Sequence, residues 1–183
     1  NSSTLVSDYH ILSADNPKGE FSSFTPRGTK HEYFIEHYKD KFYIITNLKA
    51  ENNRLMETSI FNTNVDHWKE VIPHRNETQI LDMDVFENHL VLNERKNGFS
   101  QIRIINQKTR KDNYLEFNDN AYTSYLSINK EMNTNILRFV FTSLTQLPST
   151  YDYNMDTGRS LLLKKQEIIG GYKSEKYESI RLI

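Results

Sequence analysis

Cysteine is absent from the sequence, and glycine and proline are scarce. The 183 residues contain no Cys, six Gly and four Pro. Without Cys there is no disulfide, no thiolate metal site and no cysteine nucleophile. The glycines do not stand in the Gly-x-Ser-x-Gly, Gly-x-Gly-x-x-Gly or P-loop spacing. The chain therefore shows no nucleophile elbow, no dinucleotide loop and no phosphate cradle.

An excess of charge of either sign is also missing. The net charge is −1, which gives no electrostatic reason to expect a nucleic-acid or anionic-membrane partner. No apolar run approaches the roughly 20 residues of a membrane span. The sequence has no signal peptide and no initiator Met, and it ends on the apolar run "YESIRLI". We expect a piece of a longer protein, located in the cytoplasm, with the periplasm as the alternative.

What the sequence does contain is the alternating pattern of β-strands. Apolar residues recur at every second position, and no window of a dozen residues keeps a helical apolar face. The clearest runs are "HEYFIEHY" (31–38), "KFYIITN" (41–47), "SQIRII" (100–105) and "TSYLSI" (123–128). Asn97-Gly98 between two runs predicts a tight hairpin turn. The fold class is therefore all-β.

The strands also repeat along the chain. Equivalent runs begin at Lys41, His89 and Ile136, and each belongs to a unit of about 45–50 residues with four antiparallel strands, which is typical of β-propeller blades. We predict a partial β-propeller of about three and a half blades. The predicted ranges are 1–27 for the end of one blade, then blades at 28–76, 77–118 and 119–169. Because both faces of a blade are covered, Phe42, Tyr43, Ile44 and Ile45 should all be largely buried.

Asp156-Thr157-Gly158 spells the tripeptide of an aspartic-protease active site. That chemistry needs two such carboxylates sharing a proton, and the chain has no second Asp-Thr-Gly or Asp-Ser-Gly. The motif falls between the third and fourth strands of the last predicted blade. There Gly supplies backbone freedom and Asp caps the turn. We predict a turn rather than a catalytic loop.

The other candidate motifs are equally weak. His31-Glu32 followed by His37 lacks the i, i+4 spacing of a zinc-protease helix. Surface or turn positions explain the remaining histidines, the basic cluster and the two matches to the glycosylation pattern: His67, His74, His89, Lys108, Arg110, Lys111, Asn1-Ser2-Ser3 and Asn76-Glu77-Thr78. No residue of this chain is assigned as catalytic, cofactor-binding or metal-binding, and no cofactor is expected.

Four stretches together carry a family resemblance: "TPRGTKHEYFIEHYKDKFYIITN" (25–47), "WKEVIPHR" (68–75), "INQKTR" (105–110) and "YDYNMDTGRSLLLKKQEIIGGY" (151–172). They resemble the propeller of the prolyl oligopeptidase family of serine peptidases, and within it the oligopeptidase B (protease II) group. The resemblance places residues 170–183 at a junction toward an α/β-hydrolase domain beyond Ile183. It identifies the C-terminal part of the propeller.

The resemblance implies a function for the parent protein. That protein would be a serine oligopeptidase that cleaves short peptides, with the oligopeptidase B group preferring the bond after Arg or Lys. Its catalytic triad would lie in the hydrolase domain. The propeller would be a non-catalytic lid that admits short peptides and excludes folded proteins.

Two other classes of function remain open. One is an independent β-propeller binding module without enzymatic activity. The other is a propeller glycosidase, which needs paired carboxylates; Asp82, Asp84 and Glu87 are its candidates. An interrupted propeller would also expose blade faces and strand edges, so we expect the chain alone to self-associate, or residues 1–24 to be poorly ordered or repositioned.

Overall fold

The computed structural model describes residues 8–26, 31–119 and 121–178. The chain divides into two compact units, Asn1–Asn76 and Glu77–Ile183. In the described residues, regular structure consists of β-strands and two short 3-10 helices, at Val65–His67 and Ser174–Lys176. No helix in this described part is long and apolar enough to cross a membrane.

The first unit holds a short hairpin and one four-stranded antiparallel sheet. The hairpin pairs β1 (His10–Ile11) with β2 (Ser22–Ser23). The sheet has its strands in sequence order: β3 (Tyr33–Tyr38), β4 (Lys41–Thr46), β5 (Arg54–Ser59) and β6 (Lys69–Ile72). The hairpin stands where the sequence predicts the last two strands of an earlier blade.

The second unit holds two further sheets of the same design. One consists of β7 (Thr78–Val85), β8 (His89–Lys96), β9 (Phe99–Asn106) and β10 (Asp112–Tyr114), and the other of β11 (Tyr122–Leu126), β12 (Ile136–Ser143), β13 (Ser149–Asn154) and β14 (Ser160–Lys165). The second strand of each four-stranded sheet begins at Lys41, His89 or Ile136. The predicted repeat is thereby confirmed.

The main core cluster of the first unit is aromatic and lies on one face of β4. It contains Phe24, Tyr33, Phe42, Ile44, Met56 and Trp68. Phe42, Tyr43, Ile44 and Ile45 are 8, 3, 0 and 4% exposed, so the predicted burial on both faces of the strand is confirmed. This burial makes β4 the centre of its sheet.

The core of the second unit lies between its two sheets. Apolar residues of the first of these sheets meet those of the second in one cluster: Phe86, Val91, Ile102, Ile104 and Leu115 with Leu137, Phe139, Phe141 and Met155. Phe117 joins it, with ring centroids 4.7 Å from Phe141 and 4.9 Å from Tyr122. β10 ends at Tyr114, and Phe117 beyond it packs on the other sheet.

Candidate functional site

Asp156-Thr157-Gly158 forms the tight turn between β13 and β14. The Asn154 Oδ1 atom accepts the backbone N–H groups of Asp156 at 3.0 Å and Thr157 at 2.9 Å. The Gly158 N–H donates to the Asn154 carbonyl at 2.8 Å, and Gly158 has φ = +72°. The side-chain oxygen of Asn154 therefore closes the turn, and the predicted turn is confirmed. The prediction that Asp156 caps it is wrong, because the Asp156 carboxylate accepts a hydrogen bond from Asn135 instead.

The same turn occurs between β9 and β10. Asn106 Oδ1 accepts the backbone N–H groups of Lys108 at 3.1 Å and Thr109 at 2.9 Å. The Arg110 N–H donates to the Asn106 carbonyl at 2.9 Å, and Arg110 has φ = +60° where the later turn has glycine. The predicted basic cluster of Lys108, Arg110 and Lys111 is exposed on this turn.

The Asp156 carboxylate links its turn to the neighbouring strands. Asn135 Nδ2 donates to Asp156 Oδ2 at 2.9 Å, and His89 Nε2 lies 3.4 Å from Oδ1. His89, at the start of β8, is 3% exposed, so the predicted surface or turn position is wrong for this residue. Burial lowers the pKa of His89, although the charge of Asp156 opposes that effect. At neutral pH the imidazole is uncharged, and the contact joins the two sheets of the second unit.

The other histidines do not assemble a metal or catalytic site. His31 is buried with its ring 5.6 Å from Trp68, edge-on, and burial lowers its pKa. His37 is exposed and lies 2.8 Å from the Lys39 carbonyl. Within residues 8–26, 31–119 and 121–178, no group of three or more His, Cys, Asp or Glu could hold a metal. His67 is exposed and His74 is half-buried.

The three carboxylates considered for a glycosidase sit on and after β7. Asp84 Oδ2 accepts a hydrogen bond from Asn129 Nδ2 at 2.7 Å, which links the two sheets of the second unit. Asp82 Oδ1 accepts the N–H of Met83 at 2.8 Å. Glu87 is an exposed turn residue whose N–H donates to the Met132 carbonyl at 2.9 Å. These contacts give Asp84 and Glu87 a structural function between the two sheets.

Sequence reasoning missed a buried carboxylate in β8. Glu94 is 0% exposed. Tyr114 donates its hydroxyl to Glu94 Oε2 at 2.9 Å, and the Arg103 Nη1 atom lies 3.6 Å from Oε1. Arg103 also pairs with Asp112. Arg103 and Tyr114 are register partners in β9 and β10. Pairing these two strands from the sequence would predict that Arg103 and Tyr114 are neighbours, but it would not predict that both contact Glu94.

Several polar contacts in the described part of the chain link strands and sheets. In the described part of the chain, no histidine ring has a serine or threonine hydroxyl as a hydrogen-bond partner. The ring of His37 contacts the Lys39 carbonyl, and the ring of His89 contacts Asp156. A nucleophile activated by a neighbouring base is the minimum arrangement for acyl transfer. In the described residues, the three larger sheets are each a four-stranded antiparallel blade.

Repeated four-stranded antiparallel blades define a partial β-propeller domain. The family model described as "Prolyl oligopeptidase, N-terminal beta-propeller domain" matches residues 1–166. The chain belongs to this family, and the resemblance identified from the sequence is confirmed.

Individual relatives agree with the family match. The chain is 32% identical over 181 residues to dipeptidyl aminopeptidase BI of Pseudoxanthomonas mexicana, covering 98% of this chain and 25% of the relative. It is 23% identical to protease 2 of Moraxella lacunata, covering 99% of this chain and 26% of that protein. The chain thus spans about a quarter of the length of these curated relatives.

A solved structure shows the same fold. Oligopeptidase B from Trypanosoma brucei, in a closed form with covalently bound antipain, matches with a TM-score of 0.81 at 24% identity. The match covers 92% of this chain and 25% of that chain. The fold prediction, a partial β-propeller of about three and a half four-stranded blades, is confirmed by the sheets and by this likeness.

Proposed function

We propose that the protein containing this chain is a serine oligopeptidase and that residues 1–183 form a non-catalytic part of its propeller. The family match over residues 1–166 carries the proposal. The absence of a Gly-x-Ser-x-Gly motif from the sequence supports it, because the nucleophile must then come from elsewhere in the protein. An α/β-hydrolase domain of the same polypeptide is the partner that would supply the triad.

The propeller would control which substrates reach that triad. A lid over an active site admits chains small enough to pass and shields the acyl transfer from water. A rigid lid suits this purpose, and the two sheets of the second unit share one continuous core and the Asp84–Asn129 and His89–Asp156 contacts. Short peptides would be cleaved, and folded proteins would be excluded by size.

Cleavage after Arg or Lys is the specificity we propose. The support is the resemblance to the oligopeptidase B group, joined by the similarity to protease 2 and to the trypanosomal oligopeptidase B. The relative with 32% identity is named a dipeptidyl aminopeptidase, which favours a second candidate: release of dipeptides from a free amino terminus. Both reactions use the same acyl-transfer chemistry and differ in how the peptide is held.

Turnover by the whole protein tests the proposal. Chromogenic peptides with Arg, Lys or Pro before the leaving group should differ in kcat/KM, with Arg and Lys preferred by about 10²-fold or more. A preference for Pro would refute the proposed specificity. Acetylated and free amino-terminal forms of the Arg peptide separate the two candidates, since only the dipeptidyl aminopeptidase requires the free amine. A series of substrates of increasing length, the longest of them a folded domain, tests the size limit, because cleavage should stop when the substrate is too large to enter.

The chain of 183 residues should be inactive by itself. It should show no inhibitor-sensitive hydrolysis of Arg or Lys esters and amides, because it has no triad. Hydrolysis blocked by a serine-directed inhibitor would overturn this proposal and favour an unrecognised site on the propeller. We also propose a cytoplasmic location, which cell fractionation with an antibody to this chain would test.

A further inference from the structure

The fourth strand of the last sheet differs from the fourth strands of the other two sheets. β6 has four residues and β10 has three, and both begin with charged or polar residues. Short, polar edge strands are a common protection against pairing with other chains. β14 has six residues, and all six are exposed.

The centre of β14 is apolar. Leu161, Leu162 and Leu163 are 63, 48 and 44% exposed. β14 is also the last strand in the order β11-β12-β13-β14, so one of its edges pairs with no other strand of the described chain. The edge therefore presents free backbone N–H and C=O groups beside three leucine side chains.

Cations flank these leucines at both ends. Arg159 precedes them and Lys164 and Lys165 follow, all exposed. None of the three has an ion-pair partner in the described part of the chain, and the nearest acids in sequence, Asp156 and Glu167, lie outside the strand. The edge thus combines open hydrogen-bonding groups, an apolar centre and positive charge at each end.

A second copy of β14 is a poor partner for this edge. Antiparallel self-pairing centred on Leu162 would place Arg159 opposite Lys165 at both ends of the ribbon. Like charges directly opposite one another destabilise a strand pair. A strand with carboxylates at both ends and an apolar centre has the complementary pattern.

We infer that the outer edge of β14 is a docking site for an extended, acidic peptide segment of another protein. The segment adds a fifth strand to the sheet, so that its backbone bonds to β14, its apolar centre packs on the leucines and its terminal carboxylates lie near the three cations. This interaction is independent of the proposed peptidase activity. It assigns a partner-binding surface to the last blade.

A direct binding measurement tests the inference with the full chain. The probe is fluorescent acetyl-Glu-Glu-Val-Thr-Val-Glu-Glu-amide, and the matched probe replaces every Glu with Lys. We expect saturable binding of the acidic probe that weakens as salt is added, slower amide exchange at Leu161–Leu163, and no binding of the basic probe. Equal binding of both probes, or binding of neither, would overturn the inference.

Charge-reversal variants locate the site. Lys164→Glu with Lys165→Glu should weaken the acidic probe about tenfold, because two attractions become repulsions. The control, Lys108→Glu with Lys111→Glu, makes the same change of charge on the exposed turn after β9 and should leave binding unchanged. Equal weakening by both double variants would mean that the affinity for the acidic probe depends only on the net charge of the chain, which refutes a site on β14.

Backbone methylation of the probe tests strand pairing itself. Two acidic probes carry N-methyl groups on alternate amides, one set on each edge of the extended peptide. Pairing with β14 uses one edge, so one methylated probe should bind and the other should not. Binding of both would refute strand addition, and a dimer that protects Leu161–Leu163 without any probe would show that the occupant is a second copy instead.

Discussion

The two equivalent turns after β9 and β13 allow a sharp test of backbone strain. Arg110 and Gly158 occupy the same place in a turn closed by an asparagine, with φ = +60° and +72°. An L-residue in this left-handed region costs roughly 1–2 kcal/mol, whereas glycine adopts it freely. Arg110→Gly should therefore relieve strain in the folded chain.

The net gain is smaller than the relieved strain. Glycine also gives the unfolded chain more conformational freedom, which offsets about 0.4–1 kcal/mol. We expect Arg110→Gly to raise the free energy of unfolding by about 0.5–1 kcal/mol. Gly158→Ala should lower it by a similar amount, since the new Cβ would meet only the Tyr153 hydroxyl, 3.7 Å away, and the cost is that of the backbone.

Urea unfolding followed by far-UV circular dichroism measures both effects. Arg110→Ala is the control, because it removes the exposed side chain while keeping a non-glycine residue at positive φ. Its free energy of unfolding should stay within about 0.5 kcal/mol of the parent chain. If Arg110→Gly destabilises the chain, or Gly158→Ala leaves it unchanged, the equivalence of the two turns is wrong.

Three further predictions concern buried groups. Ile44→Ala should lower the free energy of unfolding by about 2–5 kcal/mol because Ile44 is 0% exposed. The control Leu144→Ala, at a residue that is 86% exposed, should lower it by less than about 0.5 kcal/mol. A loss well under 1 kcal/mol for Ile44→Ala would contradict the place of Ile44 in the core. Tyr114→Phe should cost about 1–3 kcal/mol by depriving buried Glu94 of a donor, and an unchanged denaturation midpoint would mean that the bond contributes nothing. Burial lowers the pKa of His31, so below about pH 6.5 the unfolded state binds the proton more readily and the free energy of unfolding falls as the pH falls. His31→Phe should make the free energy of unfolding depend less on pH in urea titrations between pH 5 and 8. An unchanged pH dependence would mean that other groups cause the decline.

The architecture could be predicted because strands, turns and the repeat each follow from short-range patterns in the sequence. Strand alternation depends only on neighbouring residues, and the repeat at Lys41, His89 and Ile136 coincides with the first residues of β4, β8 and β12. Asn97-Gly98 adopts positive φ at both residues, 52° and 83°, as the hairpin required. These features need no knowledge of distant contacts.

The contacts between sheets could not be predicted in the same way. His89 and Asp156 are 67 positions apart in sequence, and nothing in either local pattern indicates that they meet at 3.4 Å. Glu94 looks like an exposed strand residue until Tyr114 and Arg103 are placed around it. Phe117 lies after the end of β10 and packs on Phe141 of the adjacent sheet, with ring centroids 4.7 Å apart, a contact that its local sequence does not indicate.

Trp68 makes the chain its own spectroscopic probe for one half of the molecule. It is the single tryptophan, it is 8% exposed, and its indole N–H donates to the Thr63 carbonyl at 2.9 Å. All of these contacts lie in the Asn1–Asn76 unit. Tryptophan emission consequently follows the unfolding of that unit, so comparing it with a whole-chain signal reveals whether the two units unfold together or in sequence.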